Sequence, residues 1–144
     1  MTGISKLFLD TAPLVYYLDD DERYACSVED YLYSAFRAGV EVLTSVVTAT
    51  EYLTYPYKTG NMEKIAVFFD FLNYTGIPLI PIDATIAQKA AQIRAEYRGF
   101  KTMDALQLAS ACVRGCDVFL TNDKQLLQFA ELNCVVLDQY GIIF

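Results

Sequence analysis

Four acidic residues spread along the chain hold positions from which carboxylates can act together. Asp10 closes a short apolar run at 6–9, and Asp123 follows a second run at 118–120. Asp104 falls in the first turn of one predicted helix and Glu51 in an early turn of another. Carboxylates held close together repel one another and take up protons or a cation. Magnesium or manganese suits such a set, because hard divalent ions prefer oxygen ligands and keep several waters. Water on such an ion has a lowered pKa and can attack a phosphodiester. The sequence contains no histidine, which removes Ser/His/Asp and Cys/His catalysis and the double-histidine route to cutting RNA. Each acid also has a plainer reading. Asp10 can simply end a strand, Asp104 can favour a helix N-terminus, Asp123 can cap, and Glu51 can lie on the surface. Glu51 sits, however, in a stretch of Thr, Val and Tyr where a surface charge is not expected. An aspartyl-phosphate mechanism needs a second acid two residues after the first, and that position is Ala12.

The elements that must position these acids are readable from periodicity. Residues 6–10 predict a buried strand ending on Asp10, with Thr11 as N-cap of a helix that has Pro13 in its first turn. Asp19 to Glu22 form a charge run expected to be a solvated loop. Helical spacing over 24–38 ends at Gly39, and 42–44 give a second strand. Ser45 or Thr48 can cap the Glu51 helix, which is expected to end near Pro56. Asn61 caps the next helix, which carries two apolar stripes: Ile65, Phe68, Phe69 and Leu72 on one side, Val67, Phe71 and Tyr74 on the other. One buried stripe is normal, so the second favours a partner. Residues 79–82 form a third strand, flanked by prolines that suit a sheet edge. Asp83 caps a helix over 84–97, Thr102 caps the Asp104 helix, and Gly115 ends that helix. A fourth strand at 118–120, a short helix begun by Asn122 and Asp123, and a fifth strand at 135–137 complete the chain; Asp83 and Asp138 are read as caps near the sheet edges. Strands alternating with helices define an α/β fold: five parallel strands covered on both faces, in three layers. If strands one and four are neighbours where the winding reverses, Asp10 and Asp123 lie about one strand spacing apart, roughly 5 Å.

Composition bounds the rest. The 144 residues fit a single domain over 1–144. No apolar run approaches the roughly 20 residues of a spanning helix, and no signal-peptide pattern is present, so a cytoplasmic protein without membrane association is expected. Of the four cysteines only Cys112 and Cys116 are close in sequence, so buried free thiols are expected rather than disulfides or zinc. Net charge is −7, from 11 basic and 18 acidic residues, which argues against non-specific coating of nucleic acid. Arg98 and Lys101 lead into the Asp104 helix and Lys124 adjoins Asp123, so these three can form a local phosphate-binding rim.

Four segments carry a resemblance: LDT at Leu9, Asp10 and Thr11; TSVVTATE ending at Glu51; MDALQLASA from Met103 to Ala111; and LTND ending at Asp123. In this order the chain resembles the PIN domain, and within it the VapC-like toxins of type II toxin-antitoxin modules. The resemblance implies a three-layer α/β/α fold with parallel strands in the order 3-2-1-4-5, and a magnesium-dependent ribonuclease. It implies Asp10 and Asp104 as principal metal ligands, with Asp123 as the fourth acid, and Glu51 as the acid of the second motif. Thr11 and Thr121 match hydroxyls that support the site. An antitoxin whose C-terminal segment crosses the active site, an RNA substrate and a homodimer are implied in the same way. The alternative is a module with the same fold and acids but little or no turnover, acting on protein or RNA partners through Tyr16, Tyr17, Tyr52, Tyr55, Tyr57 and the two-striped helix.

Overall fold

The computed structural model describes residues 3–137. Its elements run β1 (Lys6–Leu9), α1 (Thr11–Leu18), α2 (Ala25–Arg37), β2 (Glu41–Ser45), α3 (Val46–Thr59), α4 (Met62–Thr75), β3 (Leu79–Ile80), α5 (Ala84–Glu96), α6 (Thr102–Val113), β4 (Val118–Thr121), a 3₁₀ turn (Lys124–Gln128) and β5 (Asn133–Val136). The sheet has the order β3-β2-β1-β4-β5, and every pairing is parallel. β1 is central, pairing Leu7 with Val42 and Val118, and Phe8 with Leu43 and Phe119.

Alternation along the central strands sends side chains to two cores. Leu7, Leu9, Val42, Val118 and Leu120 pack beneath the first four helices, with Leu32, Leu53 and Phe68. Phe8, Leu43 and Phe119 pack against α5 and α6, with Ile86, Ile93 and Leu108. Phe8 and Phe119 stack at 5.2 Å between ring centroids. Strands buried on both faces explain the near-continuous apolar runs at 6–9 and 118–120.

Several boundaries differ from the sequence expectation. The cap of α1 is Asp10, not Thr11: Asp10 is extended, and its side chain accepts from the Thr11 N–H. Lys101, rather than Thr102, occupies the N-cap position of α6, and its N–H donates to the Asp104 carboxylate at 3.1 Å. α3 runs past Pro56 to Thr59, although proline has no N–H to bond the carbonyl four residues before it. That helix ends where Gly60 turns left-handed at φ 67° and its N–H returns to Pro56 and Tyr57. β3 holds only two residues, since Pro81 cannot extend an edge ladder. β5 lies earlier than expected, at Asn133–Val136, and Asp138 falls outside the described residues. The charge run is partly engaged: Asp19 accepts from Tyr52 Oη at 3.1 Å and Lys64 Nζ at 3.3 Å. On α4, Ile65, Phe68 and Leu72 are buried, whereas Val67, Phe69 and Tyr74 are exposed. Tyr52 is buried, contrary to its reading as a surface residue, because its ring stacks on Phe68. Burial pushes the thiols of Cys112 to about 11 and of Cys116 and Cys134 to about 12, so these free cysteines stay protonated and inert. Among the described residues no helix is long and apolar enough to cross a membrane.

Candidate active site

The C-terminal end of the sheet carries an open cleft of about 370 Å³ between β1 and β4, where the winding reverses and open α/β sheets place their ligands. Asp10, Thr11, Glu51, Asp104 and Asp123 all line it, with Ala12, Val15 and Tyr16. The four acids thus arrive from four separate elements. β1 ends one residue before Asp10, and α3 brings Glu51 in its second turn. α6 brings Asp104 in its first turn, and Asp123 caps the 3₁₀ turn after β4 through its bond from the Gln125 N–H.

Asp10 is the most constrained of them. Its Oδ1 accepts from the Thr11 N–H at 2.9 Å, and its Oδ2 from Thr121 Oγ1 at 2.8 Å. Gln107 Nε2 adds a longer contact to Oδ1 at 3.4 Å. Burial nevertheless pushes the carboxyl up to about 6, opposed by the Thr121 and Thr11 hydrogen bonds and reinforced by the charges of Glu51 and Asp104. Asp104 is also raised, first by burial and further by the charge of Asp123, while the Lys101 N–H and ammonium pull it down. The electrostatic coupling of acids from distant parts of the chain places them in one field.

Both expected hydroxyls are engaged. Thr11 Oγ1 donates to Glu51 Oε1 at 2.7 Å, and Thr121, fully buried, holds Asp10 while accepting the Asp123 N–H at 3.1 Å. The expected cationic rim is not part of the cleft lining: Arg98, Lys101 and Lys124 are exposed and absent from it, and Lys101 lowers the pKa of one cleft acid, Asp104.

A residue that sequence reading missed lies beneath the acids. Gln107, on α6 and only 1% exposed, accepts a short hydrogen bond from Ser45 Oγ. It donates to Thr48 Oγ1 at 2.8 Å and Thr11 Oγ1 at 3.3 Å. Thr44 Oγ1 completes the layer by bonding Thr48 Oγ1 and the Leu9 carbonyl, each at 2.8 Å. The layer joins β1, β2, α1, α3 and α6 directly under the cleft. Its signal in the sequence was an uncharged polar side chain inside the apolar run LQLA.

The donor set is all oxygen, from four carboxylates and the Thr11 hydroxyl, which fits magnesium or manganese. Among the described residues no three acids are closed around one point.

A parallel sheet in the order 3-2-1-4-5 with acids at its switch point defines the architecture. The PIN-domain family profile matches residues 7–132, and the chain belongs to the PIN-domain family. Solved structures agree at the level of fold. A toxin–antitoxin complex from Klebsiella pneumoniae has 22% identity and a TM-score of 0.68, covering 96% of this chain and 100% of that one. VapBC2 from Rickettsia felis, bound to a DNA fragment from its promoter, has 16% identity and a TM-score of 0.73, covering 91% and 98%. VapC20 of Mycobacterium tuberculosis, a toxin that cleaves the sarcin–ricin loop, has 15% identity and a TM-score of 0.65, covering 88% and 98%. No curated protein sequence matches the chain at a significant level.

Proposed function

We propose that this protein is a metal-dependent endoribonuclease and the toxin of a toxin-antitoxin pair, working as a single-domain protein in the cytoplasm. The observation that carries this reading is the convergence of Asp10, Glu51, Asp104 and Asp123 on one cleft of a PIN-domain chain. The sarcin–ricin-loop-cleaving activity of a protein with the same fold supports RNA as substrate, and the toxin–antitoxin complexes of the others support an antitoxin partner.

In this reading Asp10, Asp104 and Asp123 would hold Mg²⁺ or Mn²⁺, in part through the ion's own waters because the three carboxylates do not close around one point. The bound ion supplies an acidified water and charge stabilisation at the phosphate. Asp10 is held by Thr121 and the Thr11 N–H, which fix the orientation of its carboxylate at the cleft. Glu51, fixed by Thr11 Oγ1, faces the same cleft and positions the metal or accepts a proton from the attacking water. Arg98, Lys101 and Lys124 remain candidates for phosphates running away from the cleft. An antitoxin segment laid across the cleft would block it, and a homodimer is the expected assembly.

The test is RNA cleavage with magnesium, with chelator, and in Asp10→Asn and Asp104→Asn. Each change should lower the rate at least about a hundred-fold, the scale of losing metal-based charge stabilisation. Expression should arrest growth through Asp10, and the arrest should be relieved by the antitoxin. A wild-type rate indifferent to all three changes would overturn the mechanism, and growth arrest independent of Asp10 would favour the binding module.

A further inference from the structure

The acidic cleft does not end at Glu51. A second groove, of about 210 Å³, shares Glu51 and Val15 with it and continues between α1, α3 and the start of α4. Tyr55 stands on its wall, 67% exposed, and Pro56 lies beside it. Tyr55 is four residues beyond Glu51 on the same helix, so both side chains share one face about 6 Å apart along the axis. At the far end Asp19 and Lys64 form an ion pair at 3.3 Å, with side chains 38% and 42% exposed. The Tyr52 hydroxyl fixes the same oxygen of Asp19 at 3.1 Å. Among the described residues no bond falls on the other Asp19 oxygen, and the lysine ammonium has hydrogens to spare.

The groove therefore leads from the acids, past a flat aromatic face, to an acceptor and a donor side by side. A planar ring with hydrogen-bonding groups on its edge matches that sequence of surfaces, and a nucleobase is such a ring. Charge supports the same ligand. The chain carries −7 and its cleft is lined by acids, so phosphate attraction is weak and stacking must supply much of the grip on RNA. The axial step from Glu51 to Tyr55 is on the scale of a single nucleotide.

We propose that this groove is a nucleobase subsite for the nucleotide beside the scissile phosphate, with Tyr55 as the stacking surface and Asp19 and Lys64 contacting the edge of the base. The assignment rests on the ribonuclease reading above and names a specificity element for it.

The experiment is magnesium-supported cleavage of a random-sequence single-stranded RNA pool, with the new ends mapped, by wild type, Tyr55→Ala, Tyr55→Phe and Lys64→Met. Tyr55→Ala should raise the apparent KM about ten-fold, the scale of one lost base–aromatic stack, with kcat and thermal stability unchanged. Tyr55→Phe should retain the wild-type KM, and Lys64→Met should alter the base found next to the cut. An active wild type with KM and base preference unchanged in Tyr55→Ala and Lys64→Met overturns the subsite and leaves the ribonuclease standing. A wild type that cleaves nothing overturns both. If Tyr55→Ala weakens antitoxin binding while RNA kinetics stay the same, the groove belongs to the protein partner and the nucleobase assignment is wrong.

Discussion

Asp10 shows how a single side chain is held against its own preference. Three donors reach its carboxylate, yet burial outweighs them and lifts the group to about 6. An acid whose folded pKa exceeds its unfolded value of about 3.9 contributes stability that is complete below the unfolded value. That contribution is lost as pH rises through the folded one. Metal-free protein should therefore lose on the order of 2 kcal/mol from this group between about pH 4 and pH 6. Asp10→Asn should be more stable than wild type to urea at pH 7 in chelator, and the difference should shrink when magnesium is added. Equal stability at every pH would show that the charge is not strained. Tyr52 makes a contrasting point. Its type suggested a surface aromatic, but its ring lies on Phe68 and its hydroxyl on Asp19. Burial and the Asp19 charge push the phenol up to about 12.

At the scale of elements, the periodic segments and their stops were legible because they depend on local chemistry. Ser45, Asn61 and Asp83 cap as their types predict, and left-handed Gly39, Gly60, Gly76 and Gly115 follow helices. Thr11 and Thr102 misled because a cap is chosen by where the backbone turns, and the neighbouring residue already held that position. Gln107 was hidden for a different reason: its partners Ser45, Thr48 and Thr11 lie 59 to 96 residues away in sequence. It is the bond between α6, which brings Asp104, and the elements that bring Asp10 and Glu51. Gln107→Leu should strand Ser45 and Thr48, costing about 1–3 kcal/mol in urea unfolding. It should also lower kcat more than it raises KM, since it loosens the acids without touching the nucleobase groove. Wild-type kcat retained in Gln107→His, which keeps a donor for Thr48 and Thr11, would show that a hydrogen-bonding group is what the layer needs. A Leu variant with wild-type kcat would reduce Gln107 to a packing role.

For the whole molecule, charge and topology act together. An excess of acid over base spreads a repulsive field toward RNA, and Arg98, Lys101 and Lys124 are the candidate counterweight near the acids in sequence. If these three meet phosphates, the affinity for single-stranded RNA should fall with salt at a log–log slope no steeper than about −2. A slope several units steeper, measured by fluorescence anisotropy in calcium, would reveal phosphate contacts from a wider basic surface than these three residues. Topology accounts for the site itself. β1 and β4 lie side by side in the sheet although more than a hundred residues separate them, and that pairing brings the Asp10 and Asp123 ends together.

The sequence by itself determined the α/β class, the alternation of buried strands and helices, and the presence of acids at strand ends and helix starts. These follow from side-chain type and short-range spacing. The motifs at Asp10, Glu51, Asp104 and Asp123 added the family likeness and the expected strand order. Only the tertiary structure decided that the four acids share one cleft, that Gln107 ties their elements together, and that Tyr55 opens a groove beside Glu51. It also left Arg98, Lys101 and Lys124 out of the lining of that cleft. Such outcomes depend on which distant segments pack together, and local propensity carries no record of those contacts.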